Sequence, residues 1–437
     1  MSSALHRKGI ATSIAVVLMI IFLLIGLGVG YAVWGIRKPV APEVKPGLSG
    51  DVNVVYLCPL TGALSTYGEN NKAAAELAAK EVNEWLAARG AEWKFKLIVE
   101  DTATDPATCL SKLKAWHGKG VLFFIGPMSS SEVKEIKEYA DANKLLVISP
   151  SSTSPALSIA GDFIFRYCPD DTIQGPGIAR LMWDAGVKHV IPTWRGDAWG
   201  DGLHDATKDA YVKLGGTWHD DLGVRYDPAL TDFPAQAASL KDAVEKLLAD
   251  GVPKEEIGIL AISFEEICPY MEDASEYPIL SEVKWFGSDG TCLLPTLVKH
   301  EVAGPFAAKV KFTNTIFAPG VSPKFQHVTE YCKRTLGREP DSYAYNSYDI
   351  VWTLAIAFDI VDAYDTEKVR AVLPKVVENY FGASGWFQLN ENGDRAFADY
   401  NLWTVTEDPT TGEIKWTQVG VYVGAEDRIE WIVPIYE

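Results

Sequence analysis

The chain has 437 residues, of which 48% are hydrophobic and 22% charged, a balance typical of packed globular proteins rather than disordered ones. Its length allows two domains of ordinary size. The formal net charge of -18, without clustered Lys and Arg, argues against nucleic acid as a partner, because phosphates require such clusters. An acidic exterior instead suits a secreted or extracytoplasmic surface.

The N-terminal region predicts a membrane anchor. Residues 10–36 contain no charged side chain, and 27 residues at about 1.5 Å of rise make roughly 40 Å of helix, more than the ~30 Å hydrocarbon core. The alternative is a cleaved secretory signal, but the run exceeds a signal core of about 7 to 15 residues and lacks a small-x-small site. We predict a leader over 1–9, a transmembrane anchor over 10–36 and a Pro-rich stalk over 37–50.

The start of the anchor is similar to the class III, pilin-type signals of archaea. Arg7-Lys8-Gly9 precedes ATSIAVVLM, and such signals are cut after the glycine, which leaves the apolar helix on the mature protein. Basic pairs flank both ends of the anchor, so the positive-inside rule does not fix its orientation. Cleavage after Gly9 therefore stays open, and we expect a single-pass membrane protein with an extracytoplasmic domain.

Six cysteines all follow the anchor, and two states of their thiols remain open. An even number in an extracytoplasmic chain is compatible with three disulfides among 15 connectivities, and buried free thiols are the alternative. No CxxC pair and no metal spacing among the histidines is present, so we expect no metal and no cofactor. No cysteine precedes position 58, which excludes a lipid-attachment site and favours a cell without an outer membrane, such as an archaeon.

From residue 51 onward, strand-length apolar runs alternate with helical patterns, which predicts an α/β fold with parallel sheets covered on both faces. A first series comprises VNVVYL, FKLIVED, VLFFIG, KLLVISP and FIFRY, and a second begins at HVIPTW. Two doubly wound units are therefore expected. The segment GWFQLNENGDRAFADYNLWTVT has strand composition around Asn392-Gly393, so we expect a β-rich end with a hairpin there.

Three consecutive serines, in the stretch IGPMSSSEV, separate an apolar run from a helical pattern. Ser129 lies three residues before Glu132, the spacing of a capping box, so one interpretation is a helix cap worth ~1 kcal/mol. One hydroxyl suffices for a cap, whereas three at a helix N-terminus suit a carboxylate or phosphate. The next apolar run ends in SPSST, and ligands bind beyond the carboxyl ends of parallel strands, so an anion site is expected here.

The segment GPMSSSEVKEIKEYADANKLLVISPSSTSPAL resembles the leucine/isoleucine/valine-binding proteins, the type I periplasmic binding proteins of ABC importers. Further motifs agree in order: PLTGALSTYG, EDTATDP, FRYCPDDTIQGPGIA, WRGDAWGDGL, FGSDG, YNSYDIVWTLAIA and GWFQLNENGDR. The resemblance covers residues 52–405. It implies two Rossmann-like lobes joined by a three-strand hinge, with lobe 1 over 51–168 and 319–383, and lobe 2 over 169–318 and 384–437.

The resemblance implies four ligand-binding residues in lobe 1. The family's carboxylate-binding serine falls on Ser130. The strand-end residues that also hold the amino-acid backbone fall on Ser151 and Thr153. The tyrosine of the first βα loop is Tyr67.

Lobe 2 is expected to supply three more residues. The family's aromatic positions fall on Trp199 and Phe264, and the acidic residue that takes the ligand's ammonium falls on Asp289, where the branched-chain binders have glutamate. Aspartate shortens the reach by one methylene, Phe264 lacks a hydroxyl, and Trp199 is bulkier than tyrosine. These departures leave the side-chain specificity open.

One candidate disulfide lies in lobe 2, with free thiols still the alternative. The small disulfide found near the serine motif in some relatives is absent, since its cysteine position is Ser129. Cys268 and Cys292 instead both follow the ends of neighbouring strands, where a bridge is geometrically reasonable.

These observations predict an extracytoplasmic solute-binding protein for an amino acid or similar small zwitterion, which it delivers to an ABC permease and its ATPase. The alternative is a surface or structural envelope protein that kept the fold and lost ligand transport. An enzyme is not expected, because no GxSxG elbow, P-loop or HExxH motif occurs. A sensor would need an output domain, and only nine residues precede the anchor.

Overall fold

The computed structural model describes residues 16–25 and 47–436 of the chain. Residues 16–25 are helical, and their apolar side chains are all exposed. Among the described residues, no helix combines the length and the apolar character needed to cross a bilayer. The predicted anchor over 10–36 lies mostly outside the described residues, as do the predicted leader and most of the predicted stalk, so all three stay predictions.

Leu48–Glu437 form one compact unit, which contains the helices described next. In chain order they are α1 (Ser65–Ala88), α2 (Pro106–His117), α3 (Ser130–Ala142), α4 (Asp171–Asp184), α5 (Ala198–Lys213), α6 (Pro234–Ala249), α7 (Ile267–Ser275), α8 (Pro295–Lys299), α9 (Ala303–Lys309), α10 (Pro323–Leu336), α11 (Ser342–Val361) and α12 (Thr366–Glu378).

The first sheet consists of β1 (Gly50–Cys58), β2 (Trp93–Asp101), β3 (Phe123–Ile125), β4 (Leu146–Ser149) and β5 (Ile164–Arg166). The strand order is β2-β1-β3-β4-β5, and every pair is parallel. Alternate residues of β1 point into different cores: Val54 and Tyr56 pack with α1 and α11, whereas Val55 and Leu57 pack with α2 and α3. Helices therefore cover both faces, which confirms the predicted doubly wound arrangement.

The second sheet consists of β6 (His189–Arg195), β7 (Thr217–Trp218), β8 (Val224–Tyr226), β9 (Ile257–Ile262), β10 (Lys284–Gly287), β11 (Thr313–Phe317), β12 (Tyr400–Glu407), β13 (Ile414–Val423) and β14 (Arg428–Trp431). The order is β14-β13-β12-β11-β10-β9-β6-β7, with β8 also paired to β6. The last three strands are antiparallel, so the predicted β-rich end is confirmed. Its main hairpin joins β12 to β13, whereas the turn at Asn392-Gly393 carries only a bridge between Leu389 and Arg395.

Three segments connect the parts of the unit built around the two sheets, which we call lobe 1 and lobe 2. The segments are 167–170, 318–322 and 379–399. Two of them pass each other closely, because a Cβ atom at Gly320 would lie 3.0 Å from the Cα atom of Gly385. The predicted lobe boundaries fall in these segments and stay predictions.

The predicted disulfide between Cys268 and Cys292 is wrong. Throughout residues 47–436, which include all six cysteines, the thiols are free and buried. Cys268 and Cys292 pack into the apolar core of the second sheet as small hydrophobic groups. Burial raises the pKa of the Cys268 thiol to about 12 and that of Cys292 well above its ordinary value, so both stay protonated at neutral pH.

Candidate functional site

A partly open cavity lies where the carboxyl ends of strands from both sheets face each other. Its volume, including the open space at its mouth, is about 330 Å³. Lobe 1 contributes residues after β1, β3 and β4, and lobe 2 contributes residues after β6, β9 and β10. The lining residues are Leu64, Tyr67, Met128, Ser129, Ser130, Ser151, Trp199, Phe264, Asp289, Gly290 and Tyr343.

Six of the seven predicted site residues line this cavity, and Thr153 is the exception. Thr153 is buried beside Asp171, whose backbone N–H donates to the Thr153 carbonyl at 2.9 Å. No hydrogen bond of normal geometry joins the Thr153 hydroxyl to the Asp171 carboxylate within the described residues. Thr153 thus lies beside a buried acidic residue and does not line the cavity.

The three serines divide into a cap and a cavity group. Ser129 is the N-cap of α3: its hydroxyl accepts from the Glu132 N–H at 3.2 Å and donates to the Glu132 carboxylate at 2.6 Å. The capping box expected from the spacing is therefore present. Ser130 begins the helix and lines the cavity, whereas the Ser131 hydroxyl is buried without a partner among the described residues.

The hydroxyl of Ser130 is fixed so that its proton is available to the cavity. Its oxygen accepts two hydrogen bonds, from the Ser152 hydroxyl and the Ser154 N–H, each at 3.1 Å. These use both acceptor positions of a hydroxyl oxygen. The remaining group is the O–H donor, which suits a carboxylate or carbonyl oxygen in the cavity.

The strand-end loop that holds Ser151 is clamped by a buried arginine. Arg166 donates from Nη1 to the carbonyls of Ser152 and Ser154, at 3.0 and 2.8 Å. Its guanidinium forms a two-pronged pair with Asp394, both bonds measuring 2.6 Å. Ser151 itself donates to the Met128 carbonyl at 2.9 Å, so the loops after β3 and β4 are joined.

Asp289 supplies the acidic side of the cavity. It begins the short 3-10 helix Asp289–Thr291 after β10 and is only 4% exposed. Its carboxylate accepts from the Tyr343 hydroxyl at 2.6 Å and from Gln174 Nε2 at 3.0 Å. Burial raises the pKa of this carboxyl, and the hydrogen bonds from Tyr343 and Gln174 act in the opposite direction.

Asp171 adds a second buried carboxylate to this side. It lies at the start of α4, fully buried, and neither of its oxygens has a hydrogen-bond partner in the described part of the chain. Burial, followed by the charge of Asp289, raises the pKa of Asp171 well above its ordinary value. Two carboxylates thus act on the same region, and a cation there would relieve their repulsion.

Aromatic residues close the cavity. The rings of Trp199 and Phe264 stack with centroids 4.4 Å apart and an angle of 17° between their planes. A Cβ atom at Gly290 would lie 2.5 Å from the Trp199 ring, so this position requires glycine. Tyr67 crosses from lobe 1, and its hydroxyl lies 2.7 Å from the Asp289 carbonyl and 2.6 Å from that of Cys292.

Comparisons with known proteins show the family of this chain. Residues 70–408 match the model of the family described as the receptor family ligand-binding region. An uncharacterized protein of Methanocaldococcus jannaschii is 34% identical over 398 residues, which cover 87% of this chain and 91% of that one. This chain belongs to the leucine/isoleucine/valine-binding family of type I periplasmic binding proteins.

Further relatives of this binding protein carry names that fit the family. A Leu/Ile/Val-binding protein homolog of Brucella suis is 26% identical, covering 81% of this chain and 90% of its own. The crystal structure of a leucine-binding protein of Thermotoga maritima superposes with a TM-score of 0.70 at 22% identity, covering 84% of this chain and 97% of that chain. The latter likeness establishes the fold.

Four polar or charged residues of this binding protein's site, Arg166, Asp171, Gln174 and Tyr343, were not predicted from the sequence. Asp171 and Gln174 lie in the recognised motif FRYCPDDTIQGPGIA, whereas Tyr343 lies two residues before the recognised motif YNSYDIVWTLAIA. Arg166 ends β5 and clamps the serine loop. The motifs themselves were the available signal, but the pairing of these side chains across the two lobes depends on the fold.

Proposed function

We propose that this protein captures an amino acid or a similar small zwitterion between its lobes. The observation that carries the proposal is that Ser130 of lobe 1 and Asp289 of lobe 2 line one cavity with opposite hydrogen-bonding character. Ser130 offers a proton to the ligand's carboxylate, and Asp289 with Asp171 attracts its ammonium. The names of the Brucella and Thermotoga relatives support this class of ligand.

Binding of such a ligand favours closure of the lobes. Charge-assisted hydrogen bonds contribute ~1.5 to 3 kcal/mol each, and here the two ends of the ligand bond to different lobes. The free energy is gained only when the lobes are together, so the ligand shifts the population toward the closed form.

The captured solute is delivered to an ABC permease and its ATPase, and the protein is held at the outer face of the membrane by its N-terminal helix. The uncharged stretch over 10–36 supports the anchor, and the family supports the transporter partner. Uptake of labelled amino acid by membrane vesicles, with and without this chain, tests delivery. Equal uptake in the two preparations would argue against it.

Thermal unfolding of the full-length chain with single amino acids tests ligand capture. A ligand at 100 times its dissociation constant adds ~2.7 kcal/mol to the free energy of unfolding, which raises the melting temperature measurably. Ser130→Ala and Asp289→Asn are expected to abolish that increase, because each removes one pole of the site.

Ser131→Ala is the matched control for the ligand experiment. Ser131 is the neighbouring serine, it does not line the cavity, and its hydroxyl has no partner in the described residues. We expect the ligand response of this variant to equal that of the wild type. If no amino acid stabilises the wild-type chain, the alternative of an envelope protein without a ligand gains instead.

A further inference from the structure

The aromatic wall of the cavity is held by a network that does not itself line the cavity. At its centre is Arg195, the last residue of β6, which is 7% exposed. Its guanidinium pairs with two carboxylates, Asp197 at 2.6 Å and Glu266 at 2.7 Å. Burying an arginine with two acidic partners has a large desolvation cost. Well-packed apolar residues in the same place often stabilise a folded protein at least as much.

Each carboxylate of this network is tied to one ring of the wall. The other oxygen of Asp197 accepts from the backbone N–H groups of Trp199 and Gly200, at 3.1 and 2.9 Å, and thereby fixes the first turn of α5. Glu266 lies two residues after Phe264 in the chain. Its Oε1 also accepts from the Tyr226 hydroxyl at 3.2 Å, which anchors it to β8.

Arg195 also contacts the wall directly. Its guanidinium carbon lies 4.8 Å from the centroid of the Phe264 ring, within the range of a cation–π interaction. The Phe264 ring also stacks on Trp199. One guanidinium therefore fixes one ring by contact and the other through its helix cap.

We propose that Arg195 is a positioning residue that sets the ligand's side-chain specificity through Trp199 and Phe264. The inference rests on the proposed function, since it assigns the wall to the ligand's side chain and the poles at Ser130 and Asp289 to its charged groups. Loosening the wall changes the space available to the side chain but leaves both poles in place. Substitution of Arg195 therefore alters discrimination among amino acids more than it alters recognition of their common backbone.

The test measures dissociation constants of the full-length chain for glycine, L-alanine, L-leucine and L-phenylalanine by calorimetry. In Arg195→Met we expect a change of about tenfold or more in the ratio of two dissociation constants, that of the worst-bound amino acid to that of the best-bound one. Arg195→Lys keeps a cation near Phe264 but loses the fork that bonds both carboxylates, so an intermediate change is expected.

Arg225→Met is the matched control. Arg225 forms a two-pronged pair with Asp201 at 2.7 and 2.8 Å in the same lobe, and among the described residues no cation–π contact joins it to Trp199 or Phe264. In Arg225→Met the same ratio of dissociation constants should stay within about threefold of the wild-type ratio. Two outcomes would overturn the inference: an equal loss of affinity for all ligands in both Arg195 variants, or loss of the folded state in both. Either would show that Arg195 contributes to stability and not to specificity. A wild-type chain that binds none of the four would instead overturn the proposed function, and the inference with it.

Discussion

At the residue scale, neighbouring residues of the same type have different tasks. Of two neighbouring serines, Ser129 caps α3 and Ser130 presents its proton to the cavity. Of two neighbouring aspartates, Asp170 caps α4 by accepting from the Thr172 N–H. Asp171 is instead buried beside Asp289. The spacing to Glu132 predicted the first cap. Nothing in the sequence tells which aspartate of the pair is buried, because that depends on how α4 packs against the second sheet.

Asp171→Asn is expected to raise the stability of the ligand-free protein and to lower its affinity for the ligand. The variant removes a buried carboxylate without a hydrogen-bond partner in the described residues, so the ligand-free protein should gain ~1 to 2 kcal/mol of unfolding free energy at pH 8. Asp171 does not line the cavity, so its charge acts on the ligand's ammonium only at a distance, and affinity should fall by about three- to tenfold. Urea unfolding and calorimetric titration measure the two effects.

Asp170→Asn provides the comparison for that substitution. Asn serves as an N-cap about as well as Asp, so neither the stability nor the affinity should change much. An Asp171→Asn variant that bound ligand as tightly as the wild type would show that this carboxylate does not act on the ligand.

At the element scale, much of the fold could be predicted from the sequence, because buried parallel strands and amphipathic helices have distinct periodicities. The alternation along β1 and the helix α1 are examples. The hairpin was placed at Asn392-Gly393 from its turn residues, but the ladder forms between β12 and β13. The disulfide was inferred from strand order, which does not give the side-chain direction that a bridge requires.

Helix α11 carries two buried carboxylates that no periodicity indicates. Asp341 caps the helix and accepts from Asn70 at 2.8 Å, and Asp349 accepts from the N–H groups of Ala383 and Ser384 at 2.7 and 2.8 Å. Burial raises the pKa of each to about 6, despite these hydrogen bonds. Both groups therefore titrate close to physiological pH.

The pH dependence of stability follows from those two groups. Their pKa is about 6 in the folded chain and ~3.9 when unfolded, so the folded state binds more protons between these values. The stabilisation is complete below the unfolded pKa and is lost as pH rises through 6. We expect the ligand-free chain to gain ~1 to 3 kcal/mol of unfolding free energy between pH 7.5 and pH 5, measured with urea.

Variants of α11 check the origin of that pH dependence. The double variant Asp341→Asn, Asp349→Asn should show a flatter profile over pH 5 to 7.5, because Asn does not titrate. Asp171 and Asp289 shift in the same direction, so a residual slope is expected. A stability that rises between pH 5 and 7.5 in the wild type would contradict the assignment.

At the scale of the whole molecule, hydrogen bonds join the two lobes directly. The Ser154 hydroxyl of lobe 1 donates to the Ala198 carbonyl of lobe 2 at 2.7 Å. Helix α1 begins after Leu64 without a side-chain cap of its own among the described residues. Glu265 of lobe 2 supplies one instead, since its carboxylate accepts from the Thr66 N–H at 2.8 Å.

Removal of this cap in Glu265→Ala is expected to weaken every ligand alike, because it destabilises the closed form and touches no ligand group. The loss of a charge-assisted bond worth ~1.5 kcal/mol corresponds to a roughly tenfold rise in all dissociation constants, mostly through faster dissociation seen by stopped flow. Glu69→Ala, which removes an α1 carboxylate paired with Arg338 inside lobe 1, should leave dissociation unchanged. Selective weakening of a single amino acid in Glu265→Ala would place that residue in the specificity wall rather than at the contact between the lobes.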